Sequence, residues 1–137
     1  MSADFIFHHV AIAVRSIEKT AAIYCKSGFT STQPVIDPVQ NVRICFLMKQ
    51  NMPLYELVEP IDVTSPVSRI LDREGITPYH ICYEVDDIDE AIHDLKKQKY
   101  LLIQTPVPAI ALNNRKICFM FHKDVGLIEL LERSAVC

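Results

Sequence analysis

Four residues stand out because their chemistry does not suit their surroundings. Glu56 lies inside Leu54-Tyr55-Glu56-Leu57-Val58, and Glu129 inside Gly126-Leu127-Ile128-Glu129-Leu130-Leu131. His9 and His80 sit in comparably apolar runs. A carboxylate buried without a partner costs several kcal/mol, so each glutamate needs an exposed strand face or a compensating group. Two neutral imidazoles and two carboxylates balance one divalent cation in charge. Their nitrogen and oxygen donors suit cobalt, nickel, manganese, zinc or iron. Taken singly, a strand glutamate usually faces solvent and a strand histidine is usually a hydrogen-bonded core residue. The metal reading gains its weight from where the four stand together.

They stand at equivalent places in a chain written twice. His9-Val10-Ala11-Ile12-Ala13-Val14-Arg15-Ser16-Ile17 lies over His80-Ile81-Cys82-Tyr83-Glu84-Val85-Asp86-Asp87-Ile88 at an offset of 71 residues, and Gly28-Phe29 falls on Lys99-Tyr100 at the same offset. Further on the offset becomes 73: Asn41 to Leu47 lies over Asn114 to Met120, and Tyr55-Glu56-Leu57-Val58-Glu59 over Ile128-Glu129-Leu130-Leu131-Glu132. Two extra residues in one connecting loop of the second half account for the change. Self-similarity at this scale is a statement about architecture before it is one about function.

One half reads as strand, helix and three strands. His9 to Val14 is β-rich, and Ile17 to Cys25 has helical spacing after Ser16, a suitable N-cap. Phe29 to Val39, Val42 to Met48 and Leu54 to Val58 are β-branched or aromatic runs bounded by prolines. In the second half Tyr79 to Val85 is a strand, and Asp87 starts a helix with Ile88, Ala91, Ile92 and Leu95 on one face. Strands follow near Leu101 to Gln104, Arg115 to Phe121 and Leu127 to Leu131. Between the halves, Ser65-Pro66 opens a short helix through Leu71 that Gly75 and Pro78 close. The expected fold class is α+β: two tandem βαβββ modules, about 5–60 and 78–133, forming a curved mixed sheet around a central metal cleft within one domain. Equivalent positions would then bring His9, Glu56, His80 and Glu129 to one axis.

Bulk properties narrow the partners. At 137 residues the length suits one domain, and with half the residues hydrophobic and 23% charged the chain reads as globular. A net charge of -3 weighs against nucleic acid or an anionic membrane surface as partner. No apolar run approaches the ~18 residues of a spanning helix, and no secretory signal is visible at the N-terminus. Five scattered cysteines without a C-x-x-C pair suggest neither a disulfide framework nor a thiolate zinc site, and a reduced cytoplasmic setting is the simplest expectation. Three glycines are too few for a phosphate-binding loop of the usual form.

Other ionisable residues read as less central. His8 points to the strand face opposite His9, His93 belongs to the second helix, and His122 adjoins the loop Lys123-Asp124-Val125. Glu59 and Glu132 recur three residues after each proposed ligand, on the opposite strand face, with solvent as their default. Cys45 and Cys118 are repeat-equivalent core residues. Arg115, Lys116 and Lys123 are candidates for substrate phosphates or carboxylates, with a solvated surface role as the default for each.

The paired modules with H…E and H…E resemble the vicinal oxygen chelate superfamily of glyoxalases, bleomycin-resistance proteins and dioxygenases. Within it, Tyr55-Glu56-Leu57-Val58-Glu59-Pro60, Ser65-Pro66-Val67, Tyr79-His80-Ile81-Cys82, Val85-Asp86-Asp87-Ile88, Lys123-Asp124 and Leu127-Ile128-Glu129-Leu130 are similar to the methylmalonyl-CoA epimerase pattern. The resemblance covers nearly the whole chain. It implies one divalent metal ion on His9, Glu56, His80 and Glu129, with Glu129 and Glu56 also moving protons. It implies an isomerase that abstracts an α-proton through a metal-bound enolate, acts on a small molecule such as an acyl-CoA thioester, and forms a homodimer. A glyoxalase I-like lactoylglutathione lyase and a biosynthetic member with another substrate are the alternatives. A non-catalytic ligand-binding member fits less well, because such members tend to lose metal ligands and use aromatic clefts. The pattern departs from the epimerases at Ala109 to Arg115, where a Gly-Ala-His-Gly-like loop is expected, and at Tyr79, where the first residue of a His-His pair is expected.

Overall fold

The computed structural model describes residues 4–134; Cys137 and the N-terminal Met1, Ser2 and Ala3 lie outside them. Among these residues the elements run β1 (Ile6–Ala13), α1 (Ile17–Cys25), β2 (Thr30–Ser31), β3 (Val35–Asp37), β4 (Val42–Met48), β5 (Tyr55–Pro60), α2 (Pro66–Glu74), β6 (Thr77–Val85), α3 (Ile88–Lys97), β7 (Leu101–Ala109), a 3-10 turn (Ile110–Leu112), β8 (Arg115–His122) and β9 (Gly126–Glu132). The mixed α+β class is as expected. No helix is long and apolar enough to cross a membrane. By contacts the chain divides into one unit from His9 to Tyr79 and another from His80 onward, which also takes the residues before His9. Phe5 stacks on Tyr83 at 4.7 Å in the latter.

The two units repeat one topology. In the first, β1 pairs parallel with β5, β5 antiparallel with β4, and β4 antiparallel with both β2 and β3. In the second, β6 pairs parallel with β9, β9 antiparallel with β8, and β8 antiparallel with β7. The expected strand Phe29 to Val39 is in fact two short strands, β2 and β3, interrupted around Pro34, which has no N–H to give a ladder.

Both cores lie between sheet and helix. Val85, Cys118, Met120, Ile128 and Leu130 bury against Ile88, Ala91, Ile92 and Leu95, the helical stripe read from sequence. In the first unit Ile12, Cys45, Leu47 and Leu57 pack on Ile17 and Ala21. Burial pushes the Cys45 thiol up to about 11 and the Cys118 thiol up to about 12, with the Glu129 charge adding to the latter. Thiolate is the reactive form, so brief iodoacetamide treatment of the folded protein near pH 8 is expected to label exposed Cys25 and spare Cys45 and Cys118. Peptide mass spectrometry checks this. Equal labelling of all three would show that these cores open readily.

The helices begin where the sequence places their caps. Ser16 Oγ accepts from Lys19 N at 3.2 Å, and Asp87 Oδ1 from Glu90 N at 3.0 Å. A second device was not expected. Glu59 Oε1 accepts the Ile17 amide at 2.9 Å, and Glu132 Oε2 accepts the Ile88 amide at 2.9 Å. These repeat-equivalent glutamates therefore do not simply face solvent. Each satisfies an amide that a helix start leaves without an intrahelical partner, and sets a negative charge at the positive end of the dipole. Arg43 adds to this in the first unit, bridging Glu59 and Glu18 at 2.8 Å each. Glu132→Ala is expected to cost about 1–2 kcal/mol, the range of a lost cap. A urea midpoint unchanged from wild type would rule the cap out as a stabilising contact.

Asparagines supply in two turns the backbone that glycine usually supplies. Asn41 and Asn114, repeat-equivalent, both take left-handed backbone at φ 59° and 61°, and Asn113 joins them at 58°. The turn after Ala109 is thus built on asparagines. The two extra residues of the second half do not sit in one loop. Strand pairing slips once in the first unit, between Ser31/Leu47 and Val35/Ile44, but twice in β7, around Gln104. One extra residue is therefore absorbed as a β-bulge. The other lengthens the following turn, residues 110–114 against 38–41.

Candidate metal centre

Strand alternation separates the two faces of each sheet. In the first unit Ile12, Cys45, Leu47 and Leu57 face the helix, which leaves His9, Ala11, Glu56, Phe46 and Val58 on the other face. In the second, Val85, Cys118, Met120, Ile128 and Leu130 face the helix. His80, Cys82, Glu84, Glu129, Leu131, Ile117 and Phe119 therefore share the opposite face.

On that face each unit holds one imidazole beside one carboxylate. His9 Nε2 lies 3.4 Å from Glu56 Oε1, and His80 Nε2 lies 3.1 Å from Glu129 Oε1. All four residues are buried, with exposures of 0%, 4%, 5% and 3% for His9, Glu56, His80 and Glu129. Solvent therefore does not account for either glutamate. Phe46 packs edge-on to His9, and Phe119 edge-on to His80, fixing both rings in matching surroundings.

The donors fit a divalent ion. Two ligands bonded at ~2.1 Å with angles between octahedral and tetrahedral stand roughly 3.0–3.4 Å apart. The two pairs fall in that range. All four residues offer donor atoms of the right kind, neutral imidazole nitrogen and anionic carboxylate oxygen.

Residues 8–119 match the family described as the glyoxalase/bleomycin resistance protein/dioxygenase superfamily. The chain belongs to that superfamily. Its relatives include the human mitochondrial methylmalonyl-CoA epimerase, 35% identical over 127 residues that cover 90% of this chain and 71% of the human protein. They also include an ethylmalonyl-CoA/methylmalonyl-CoA epimerase of Cereibacter sphaeroides, 33% identical over 90% of this chain and 94% of that one. Among solved structures, methylmalonyl-CoA epimerase from Mycobacterium tuberculosis superposes with a TM-score of 0.83 at 27% identity, covering 94% of this chain and 88% of that one. This superfamily member therefore shares both sequence and fold with epimerases.

The remaining ionisable residues separate clearly. His93 is exposed on α3. His122 lies on the helix side of β8, where it packs on Tyr100 at 4.9 Å and its Nδ1 accepts the Asp124 amide at 3.0 Å. Lys116 and Lys123 are exposed. Arg115 is not a solvated surface cation: it is paired with Glu84, and its Nε donates to the Glu132 carbonyl at 2.9 Å. Sequence reading passed over Glu84. A charged residue where the first half has Ala13 was the available signal.

Proposed function

We propose that the chain is a metal-dependent epimerase of the methylmalonyl-CoA epimerase type, acting on an acyl-CoA thioester with an acidic α-carbon. The observation that carries this reading is the buried histidine–glutamate pair, at ligand spacing, in equivalent positions of both modules. His9, Glu56, His80 and Glu129 together hold one divalent ion within a single domain. Such an ion supplies Lewis-acid polarisation of the carbonyl oxygen beside the acidic carbon.

The chain's own groups then move the proton. Glu129, as carboxylate, takes the α-proton, and the electron pair of that C–H bond passes into the carbonyl as an enolate. Glu56 is the group assigned to carry a proton to the opposite face, and the roles exchange in the reverse reaction. His9 and His80, held edge-on by Phe46 and Phe119, fix the positions of both carboxylates. A small-molecule substrate, a cytoplasmic setting and a homodimer complete the proposal; light scattering after gel filtration tests the last.

The direct test is α-proton exchange. Protein loaded with Co²⁺ is incubated with methylmalonyl-CoA in D₂O, and the α-proton signal is followed by NMR. Fast loss that EDTA stops is the expected result. A folded, metal-loaded protein that exchanges nothing would reject this substrate, and glutathione hemithioacetals would be the next to try.

A further inference from the structure

On the ligand-bearing face of the second module, the surroundings of Glu129 differ in the two directions along the strands. Toward Glu132, the side chains of Cys82, Ile117 and Leu131 are fully buried in one cluster with Ala109, so that side is closed. Toward the β8–β9 turn the same face opens. Phe119, across from Glu129, is partly buried, and the next row is Leu101, Phe121 and Leu127, side by side on β7, β8 and β9. Leu101 is exposed by 62% and Phe121 by 39%. Leu127 stands two residues from Glu129 on the same face, roughly 7 Å at ~3.4 Å per residue, with no buried row between them. Single apolar residues on a surface need no explanation; a contiguous row beside buried ionisable groups does.

Positive charge lies just past this row. Lys99 and Lys123 stand just outside the ends of β7 and β8, next to Tyr100 and His122, whose rings pack at 4.9 Å. Lys96 and Lys97 end α3 shortly before Lys99, and all four lysines are exposed. Asp124 is the one acidic residue of the β8–β9 turn and offsets one of these charges. The first module does not repeat the arrangement. At the matching offsets Leu101 and Phe121 become Thr30 and Met48, which pair in the same way, while Lys99 and Lys123 become Gly28 and Gln50. Lys49, which matches His122, is already engaged there: its Nζ donates to the Ser27 carbonyl at 2.9 Å and lies over the Phe29 ring at 5.5 Å.

We propose that the acyl-CoA substrate lays its arm over Leu101, Phe121 and Leu127 of the second module and sets its phosphates at Lys99 and Lys123. This rests on the acyl-thioester reading above. A CoA thioester carries an uncharged arm between its reacting acyl group and its phosphates. It therefore needs apolar surface first and cations next, in that order away from the carboxylate. The second module supplies that order in the one direction in which its ligand-bearing face is open.

Two sets of variants separate the parts. Lys99→Glu/Lys123→Glu reverses charge at exposed positions, and Phe121→Ser removes apolar surface from the row. Leu101→Ser, at the more exposed position, is the companion should Phe121→Ser fail to fold. Exchange kinetics are measured on Co²⁺-loaded full-length protein with the methylmalonyl thioesters of CoA and of pantetheine, which has the arm without the phosphates. The lysine variant is expected to raise KM about tenfold for the CoA ester alone, and added salt to raise the same KM in wild type. The serine variants are expected to raise KM about three- to tenfold for both esters, with kcat within about threefold. A lysine variant that leaves the CoA ester unchanged, or shifts both esters alike, would overturn the proposal, as would serine variants that shift neither. Serine variants that split a dimer into monomers while KM stays unchanged would give the row to a second copy of the chain and overturn it too. Wild-type protein that neither binds nor exchanges either thioester sinks the functional reading itself, visible before any variant is compared, and takes this inference with it. Wild type that binds without exchanging leaves the same comparison to be made on dissociation constants.

Discussion

Glu129→Gln is expected to slow α-proton exchange by about 10²–10⁴-fold, the usual contribution of a positioned acid–base group. Glutamine keeps the size and one oxygen, so the packing of β9 between β6 and β8 survives. What it loses is the negative charge and the ability to take a proton from the carbon beside the carbonyl. Thermal stability of the metal-free protein should stay near wild type, because the amide satisfies His80 Nε2 about as well as the carboxylate does. Exchange rates and melting curves are read on the same preparations. Full activity in this variant would remove Glu129 from the proton-transfer role. If Glu56→Gln then also retained full activity, neither glutamate would be a base and the proposed chemistry would be wrong.

Stoichiometric metal binding gives the second large effect. Removal of divalent ions is expected to bring exchange down to the uncatalysed background and to lower the melting temperature. Co²⁺ at about 100 times its dissociation constant stabilises the folded chain by about 2.7 kcal/mol if it binds only that state. Calorimetric titration should give one Co²⁺ per chain. Two per chain would mean that each module binds its own ion through its own histidine and glutamate. His9→Ala and His80→Ala separate these cases further: with a shared ion either substitution weakens all binding, whereas with separate ions each removes one site and spares the other.

The buried histidine–glutamate pairs stand at equivalent positions of both modules, in a chain whose relatives include methylmalonyl-CoA epimerases. Likeness of fold alone does not assign a chemistry, since one fold carries many. The pairs are informative because burial makes each glutamate expensive without a partner, and because the expense is incurred twice at matching positions.

The sequence by itself determined the larger part of this protein. Its repeat named both modules, and the boundaries of α1 and β4 follow directly from a Ser16 cap, helical spacing and a β-branched run ended at Met48. The four candidate ligands were legible because an ionisable residue in an apolar run is a cost that local composition already reveals. Tertiary structure decided what depends on partners distant in the chain. Glu59 and Glu132 look like solvent-facing strand residues until Ile17 and Ile88, 42 and 44 residues away, present their helix-start amides. The two-residue offset between halves marks only that residues were added; pairing with β8 is what turns one of them into a bulge. Arg115 carries no local sign of its partner, because Glu84 is 31 residues away and reaches it only through the order of strands in the sheet. Local spacing fixes periodicity and cost. Which charge meets which amide is fixed only when the strands align.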